Sequence, residues 1–121
     1  MDNRHLPHSH THTADAVKLS GQLACIEDFQ TVSEVFKQLS DSSRVRIFWL
    51  LCHCEECVIN ISALMDMSSP AVSHHLRQLK SSGLAVSRRE GKEVYYKAAD
   101  TEESHLLHRT IEKIMTINCP K

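Results

Sequence analysis

Three cysteines crowd into the run Cys52-His53-Cys54-Glu55-Glu56-Cys57, a C-x-C-x-x-C spacing between two apolar stretches. Thiolates are soft ligands, suited to Zn(II), Cd(II), Pb(II), Cu(I) or As(III). The same spacing also serves a redox-responsive thiol pair, or plain packing, since a free cysteine is an ordinary small apolar residue. The chain has five cysteines in all, an odd number, and their crowding favours reduced thiols over a disulfide framework. A second set of donors lies near the C-terminus: Asp100, His105, His108 and Glu112. On a helix the last three can share a face, and imidazoles with carboxylates suit zinc. Against this stands the plainer reading of a polar helix face. Four more histidines (His5, His8, His10 and His12) alternate near the start and could collect a metal ion, or belong to a tail with no other role.

The elements that must hold these residues follow from periodicity and caps. Residues 1–14 have one large aliphatic side chain, Leu6, and read as a disordered histidine-rich tail, leaving 15–121 as a single folded domain. Asp15 to Cys25 reads as a first, weak helix. Phe29, Val32, Val35, Phe36 and Leu39 have the i, i+3, i+4, i+7 spacing of an amphipathic helix. Asp41 is a good N-cap for the apolar helix through Val45 to Leu51. Asn60 reads as the cap of a short helix, Ile61 to Met65. Ser68-Ser69-Pro70 is a strong start signal for a helix over Ala71 to Lys80, with Val72, Leu76 and Leu79 on its buried face and Gly83 as its stop. Two strands follow, Leu84 to Glu90 and Glu93 to Ala98, turning at Gly91-Lys92. A last helix after Asp100 carries Leu106, Leu107, Ile111, Ile114 and Met115, and Pro120 stops it.

A short helix, a tight turn and a second helix opening on small polar residues is a helix-turn-helix, and the hairpin behind it is a wing. The net charge of -1 by itself argues against a nucleic-acid binder. Yet Ser68 to Lys97 has a local +4, leaving -5 on the remainder, which suits a protein that turns one face to a polyanion. In such a helix the N-terminal end enters the major groove. Ser68, Ser69, Ser73, His74 and His75 are then placed for backbone and base edges, one histidine facing DNA and the other inward. Arg77 and Lys80 are placed for phosphate or guanine, and Arg88, Arg89 and Lys92 for the neighbouring minor groove.

These residues also carry a family resemblance. Glu56-Cys57-Val58-Ile59-Asn60-Ile61, Met67 to Lys80 with its Ala71-Val72-Ser73-His74-His75-Leu76-Arg77 core, and Gly83 to Tyr96 with its Arg88-Arg89-Glu90-Gly91-Lys92 wing closely resemble the ArsR/SmtB family of metal-responsive bacterial repressors. The resemblance runs from about Phe29 to Cys119. It implies a mainly α, winged helix-turn-helix homodimer that holds an inverted-repeat operator in double-stranded DNA. A metal, metalloid, other inducer or oxidant then releases it. It also exposes two departures. Where such sensors often carry Glu-Leu-Cys-Val-Cys-Asp, this chain has Glu55-Glu56-Cys57-Val58-Ile59-Asn60, so Ile59 replaces the second thiol. Cys52 and Cys54, with Cys25 from a partner chain, are the substitutes at hand. Where others carry Asp-x-His, Asp100 is followed by Glu102.

The expected function is a sequence-specific repressor released by a soft or borderline metal; the alternative is a regulator without metal sensing, switched by cysteine oxidation or a partner. No Gly-rich phosphate loop or Cys-His-Asp order suggests an enzyme. The start, Met1-Asp2-Asn3-Arg4-His5, does not read as a signal peptide, no apolar run nears the ~20 residues of a membrane span, and the cytoplasm is the expected location.

Overall fold

A computed structural model describes residues 6–118. His5, Cys119 and the helix stop expected at Pro120 lie outside them. The chain divides into two compact units, Met1–Val35 and Phe36–Lys121. In the first, the stretch expected to form one helix is two: α1 (Thr13–Lys18) and α2 (Ser20–Leu23). Between them the Ser20 hydroxyl donates to the Val17 carbonyl at 2.8 Å, a local bond that competes with the helical ladder. The long amphipathic helix α3 (Ile26–Gln38) begins in this unit and ends in the next.

The second unit begins its core at α4 (Ser42–His53), whose cap is the expected one: the Asp41 carboxylate accepts from the Arg44 amide at 2.9 Å. Strand β1 (Glu56–Cys57) and helix α5 (Val58–Met65) come next. This helix starts earlier than expected, with Cys57 rather than Asn60 in the cap position. Pairing with a later strand holds Cys57 extended, so the chain turns into helix directly after it. The Asn60 amide instead donates to Glu56 Oε1 at 2.8 Å. Asp66 ends α5 in the left-handed region (φ 54°, ψ 48°), the Met67 amide donating back to the Ser62 carbonyl at 3.1 Å.

Helix α6 (Ser69–Ser81) is capped by Ser68, whose hydroxyl accepts from the Ala71 amide at 3.3 Å, with Pro70 in the first turn. Gly83, at φ 81°, ends it in the paired closure typical of a glycine stop, with amide bonds from Gly83 to Lys80 and from Leu84 to Leu79. Strands β2 (Ala85–Glu90) and β3 (Glu93–Ala98) form the hairpin, and β1 adds to it. The result is an antiparallel sheet in the order β1-β3-β2, with Cys57 opposite Tyr95 and Arg88 opposite Tyr95 on the other side. Helix α7 (Glu102–Asn118) closes the chain. The core gathers Ile47, Phe48 and Leu51 of α4, Ile61 and Met65 of α5, Val72, Leu76 and Leu79 of α6, then Leu84 and Leu107, all buried. Burying a Leu, Ile or Phe side chain contributes roughly 1.5–3 kcal/mol, so this cluster fixes α6 against α4 and α5. The architecture is mainly helical with a small β wing, as expected, and β1 is the one strand that the sequence reading lacked.

Candidate nucleic-acid interface and metal centre

Helix α6 presents its first turn and one flank to solvent: Ser68, Ser69, His74, Arg77 and Lys80 are exposed and Ser73 is half-buried. The two histidines divide as their neighbouring positions on a helix require. His74 is exposed, whereas the His75 side chain is 11 % exposed, with Nε2 3.9 Å from Asp41 Oδ1. Its Nδ1 is buried without a hydrogen-bond partner. Burial lowers the pKa of His75 from its ordinary 6.5, opposed by the Asp41 carboxylate. This imidazole therefore couples α6 to the start of α4 and stays off the exposed face.

The wing residues divide too. Arg89 and Lys92 are exposed at the tip. Arg88 is engaged: Nε and Nη2 donate to Glu55 at 2.7–3.0 Å, Nη1 donates to Glu90 at 2.6 Å, and the guanidinium lies 4.8 Å from the Tyr95 ring centre. The Arg88 guanidinium holds the Glu55 carboxyl below its usual range. Lys80 Nζ donates to Ser87 Oγ at 2.7 Å, tying the end of α6 to β2.

The three clustered cysteines are not brought together. Helix α4 ends at His53, Cys54 turns extended (φ -155°, ψ 164°), and the β1 ladder carries Cys57 into the core. Cys54 is exposed and Cys52 half-buried. Burial, and then the Glu112 charge, push the Cys52 thiol up to about 11. Cys54 is also raised, by burial and then by Glu56. Cys25, on the first unit, is exposed.

The C-terminal donors split into two groups as well. His105 Nε2 pairs with Asp100 Oδ1 at 2.7 Å. His108 and Glu112, one turn on, meet His53 from the end of α4. Here His53 Nε2 lies 3.2 Å from Glu112 Oε2 and 3.1 Å from His108 Nε2, and His108 Nε2 lies 3.3 Å from the same Glu112 oxygen. Trp49 Nε1 donates to that oxygen at 3.1 Å, and its ring packs on His53 with centroids 4.6 Å apart. The Trp49 bond, then the neighbouring imidazoles, hold the Glu112 carboxyl below its usual range. Among the described residues this is the one group of three or more His, Cys, Asp or Glu side chains whose ligand atoms all lie within 4.8 Å. His53 was missed in the sequence because it sits between two cysteines that drew the chemistry to themselves. A cavity of about 280 Å³ adjoins the group, lined by Cys52, Cys54, Asp100, Ser104, His105 and His108 among others. Cys52 and Cys54 of the first candidate set and Asp100, His105 and His108 of the second thus line one cavity, whereas Cys57 and Glu112 do not.

A capped recognition-type helix packed on a shorter helix, with a basic wing behind it, defines a winged helix-turn-helix regulator. The model of the family described as "Bacterial regulatory protein, arsR family" matches residues 41–87. The chain is 33 % identical over 103 residues to a transcriptional repressor SmtB homolog of Synechocystis, a match covering 85 % of this chain and 78 % of that one. It is 42 % identical over 79 residues to a cadmium resistance regulatory protein CadC homolog of Staphylococcus aureus, covering 64 % and 65 %. Among solved structures, a homodimeric winged helix-turn-helix DNA-binding domain of Mycobacterium bovis, Mb0332, is similar with TM-score 0.66 and 26 % identity, over 97 % of this chain and 94 % of that one. The chain belongs to the ArsR/SmtB family of transcriptional regulators. Among the described residues, no helix is long and apolar enough to cross a membrane.

Proposed function

We propose that this protein is a repressor that holds an inverted-repeat operator as a homodimer and leaves it when a metal ion binds. The observation that carries the DNA half is the exposed start of α6, Ser68 and Ser69, and its exposed flank of His74, Arg77 and Lys80, with a wing tip bearing Arg89 and Lys92. Small polar groups at a helix N-terminus approach the duplex closely, and the flanking cations neutralise phosphates. A single small winged helix covers too little DNA to be specific, and a twofold pair of half-sites remedies that. Support for pairing comes from the homodimeric relative and from apolar side chains exposed in the single chain: Leu106, Ile114 and Met115 on α7, and Phe29 and Val32 on α3.

Support for the metal half comes from the relatives named for cadmium and arsenic resistance, and from a cavity walled by thiols and imidazoles together. The thiol-oxidation alternative has less behind it. A Cys52 thiol pushed up to about 11 is protonated at neutral pH, and the thiolate is the reactive form.

Fluorescence anisotropy on DNA from the chain's own promoter region tests the proposal. The expected result is sequence-specific, salt-dependent binding of a dimer, loosened by at least one of Zn(II), Cd(II), Pb(II), Cu(I) or arsenite. No binding would overturn the repressor reading. Binding untouched by all five, but reversed by peroxide and restored by dithiothreitol, would replace metal release with a redox switch.

A further inference from the structure

We infer that His53, His108 and Glu112 form a zinc site inside each chain, clamping the C-terminal end of α4 to α7. The site is built from two facing helical pairs, Trp49 and His53 on α4, His108 and Glu112 on α7, each spaced i, i+4 so that both members lie on one face. The donors His53 Nε2, His108 Nε2 and Glu112 Oε2 form a nearly equilateral triangle with edges of 3.1, 3.2 and 3.3 Å. Zinc–nitrogen and zinc–oxygen bonds of about 2.0–2.2 Å in tetrahedral geometry set neighbouring ligands about 3.3–3.5 Å apart. The triangle is therefore close to one face of a zinc tetrahedron, and a shift of a few tenths of an ångström completes it.

Three further observations point the same way. Two imidazole nitrogens at 3.1 Å can share one proton at most, so the pair has an acceptor lone pair directed inward, as a metal requires. His53 is the last residue of α4, where the unpaired carbonyls and the helix dipole favour a cation. The Ser104 hydroxyl, 2 % exposed and without a hydrogen-bond partner, lines the adjoining cavity, where it can serve a water in the fourth position. Two nitrogens and one carboxylate oxygen, with no thiol in the triangle, select a borderline cation over a soft one. Zinc is accordingly the ligand, rather than cadmium, lead or arsenite.

A route to the DNA face leads from the same place: His53 is two residues from Glu55, whose carboxylate holds Arg88 on the wing strand. That consequence rests on the repressor reading; the site itself does not.

The chain contains one tryptophan, Trp49, and it touches both His53 and Glu112, so its emission reads this cluster directly. The reduced full-length protein, free of DNA, is titrated with Zn(II) while Trp49 emission is followed. Co(II) absorption then serves as a check on coordination geometry. The expected result is a saturable change at one Zn(II) per chain. His108→Ala and Glu112→Gln, the latter keeping the side-chain shape, should each weaken binding by more than the ~10–100-fold that loss of an outer-shell partner costs. His105→Ala and Cys54→Ser should bind zinc as the unaltered protein does. The inference fails if Trp49 emission ignores excess Zn(II), if the His108 and Glu112 variants bind zinc as well as the unaltered chain, or if only the cysteine variant loses it. Operator release is measured separately. Zinc that fills the site without loosening DNA leaves the site standing and removes metal release through it. Zinc that loosens the His108 and Glu112 variants from DNA like the unaltered chain leaves the repressor reading standing and overturns this site as the route of release.

Discussion

Arg88 has the composition of a DNA contact and the surroundings of a structural residue. Its guanidinium is shared between Glu55 and Glu90 and lies over Tyr95, whereas Arg89 and Lys92 are exposed at the wing tip. Counterion release makes this measurable, since each phosphate neutralised contributes about 0.9 to the slope of log affinity against log salt. Lys92→Ala should lower that slope by roughly one per protomer, and Arg88→Ala should leave it nearly unchanged. Glu55→Gln frees the guanidinium for phosphate and should steepen it; anisotropy from low to moderate salt decides. His75 supplies a second test. Burial lowers its pKa below the ordinary 6.5, so the unfolded chain takes up a proton there before the folded one does. Stability from this group is complete above about pH 6.5 and is lost as pH falls through the window beneath it. Melting curves at pH 7.5 and 5.5 should show that loss, and His75→Gln should flatten it. At this scale the sequence was legible only where neighbours are local. The spacing of His108 and Glu112 could be read directly, as could the caps at Asp41 and Ser68. The partners of His108 and Arg88 could not, because His53 and Glu55 lie 55 and 33 positions away and meet them only through the packing of separate elements.

Among the elements, the turn between α5 and α6 carries a conformation that the amino-acid type resists. Asp66 sits at φ 54° with no glycine to make it easy. A left-handed L-residue costs roughly 1–2 kcal/mol, less for Asp than for Ala, and glycine escapes most of it. Asp66→Gly should accordingly be more stable than Asp66→Ala by about 1 kcal/mol, read from urea melts. Ser68→Ala removes the cap of α6 and should cost about 1 kcal/mol. The start at Ser68-Ser69-Pro70 and the stop at Gly83 were plain in the sequence, because a serine hydroxyl, a proline ring and a glycine backbone act locally, whereas the left-handed stop at Asp66 carried no such signal. Strand β1 was not. Two residues cannot display a period of two, and Glu56-Cys57 becomes a strand only because β3 offers it a free edge. The same pairing moved the start of α5 forward from Asn60 to the residue after Cys57.

For the whole molecule, the segregated charge and the apolar stripe of α7 point in one direction. Leu106, Ile114 and Met115 are 55, 51 and 46 % exposed in the single chain, and side chains of this kind seek a partner surface. Ile114→Glu should shift the protein toward monomer in light scattering and weaken operator binding together. A monomer that still binds the full operator at undiminished affinity would show that pairing through α7 is unnecessary. The wing could be read from the order of the elements, and the family from the residues of α6 and the hairpin that resemble it. The meeting of Cys52 and Cys54 with Asp100, His105 and His108 around one cavity could not, since it depends on where the end of α4 meets α7.

Strand β1 has a mechanical consequence. Cys57 is at once a rung of the ladder with Tyr95 and the cap of α5, so the wing and the helix-turn-helix are welded at that residue. In the proposed homodimeric repressor each reading head would travel as one stiff body, and the pair would work like a calliper. It would lose its grip when its jaws are reset from the ~34 Å of one turn of DNA, not when either jaw is dismantled. Amide exchange along the β1–β3 pairing should stay equally slow with the operator held and released.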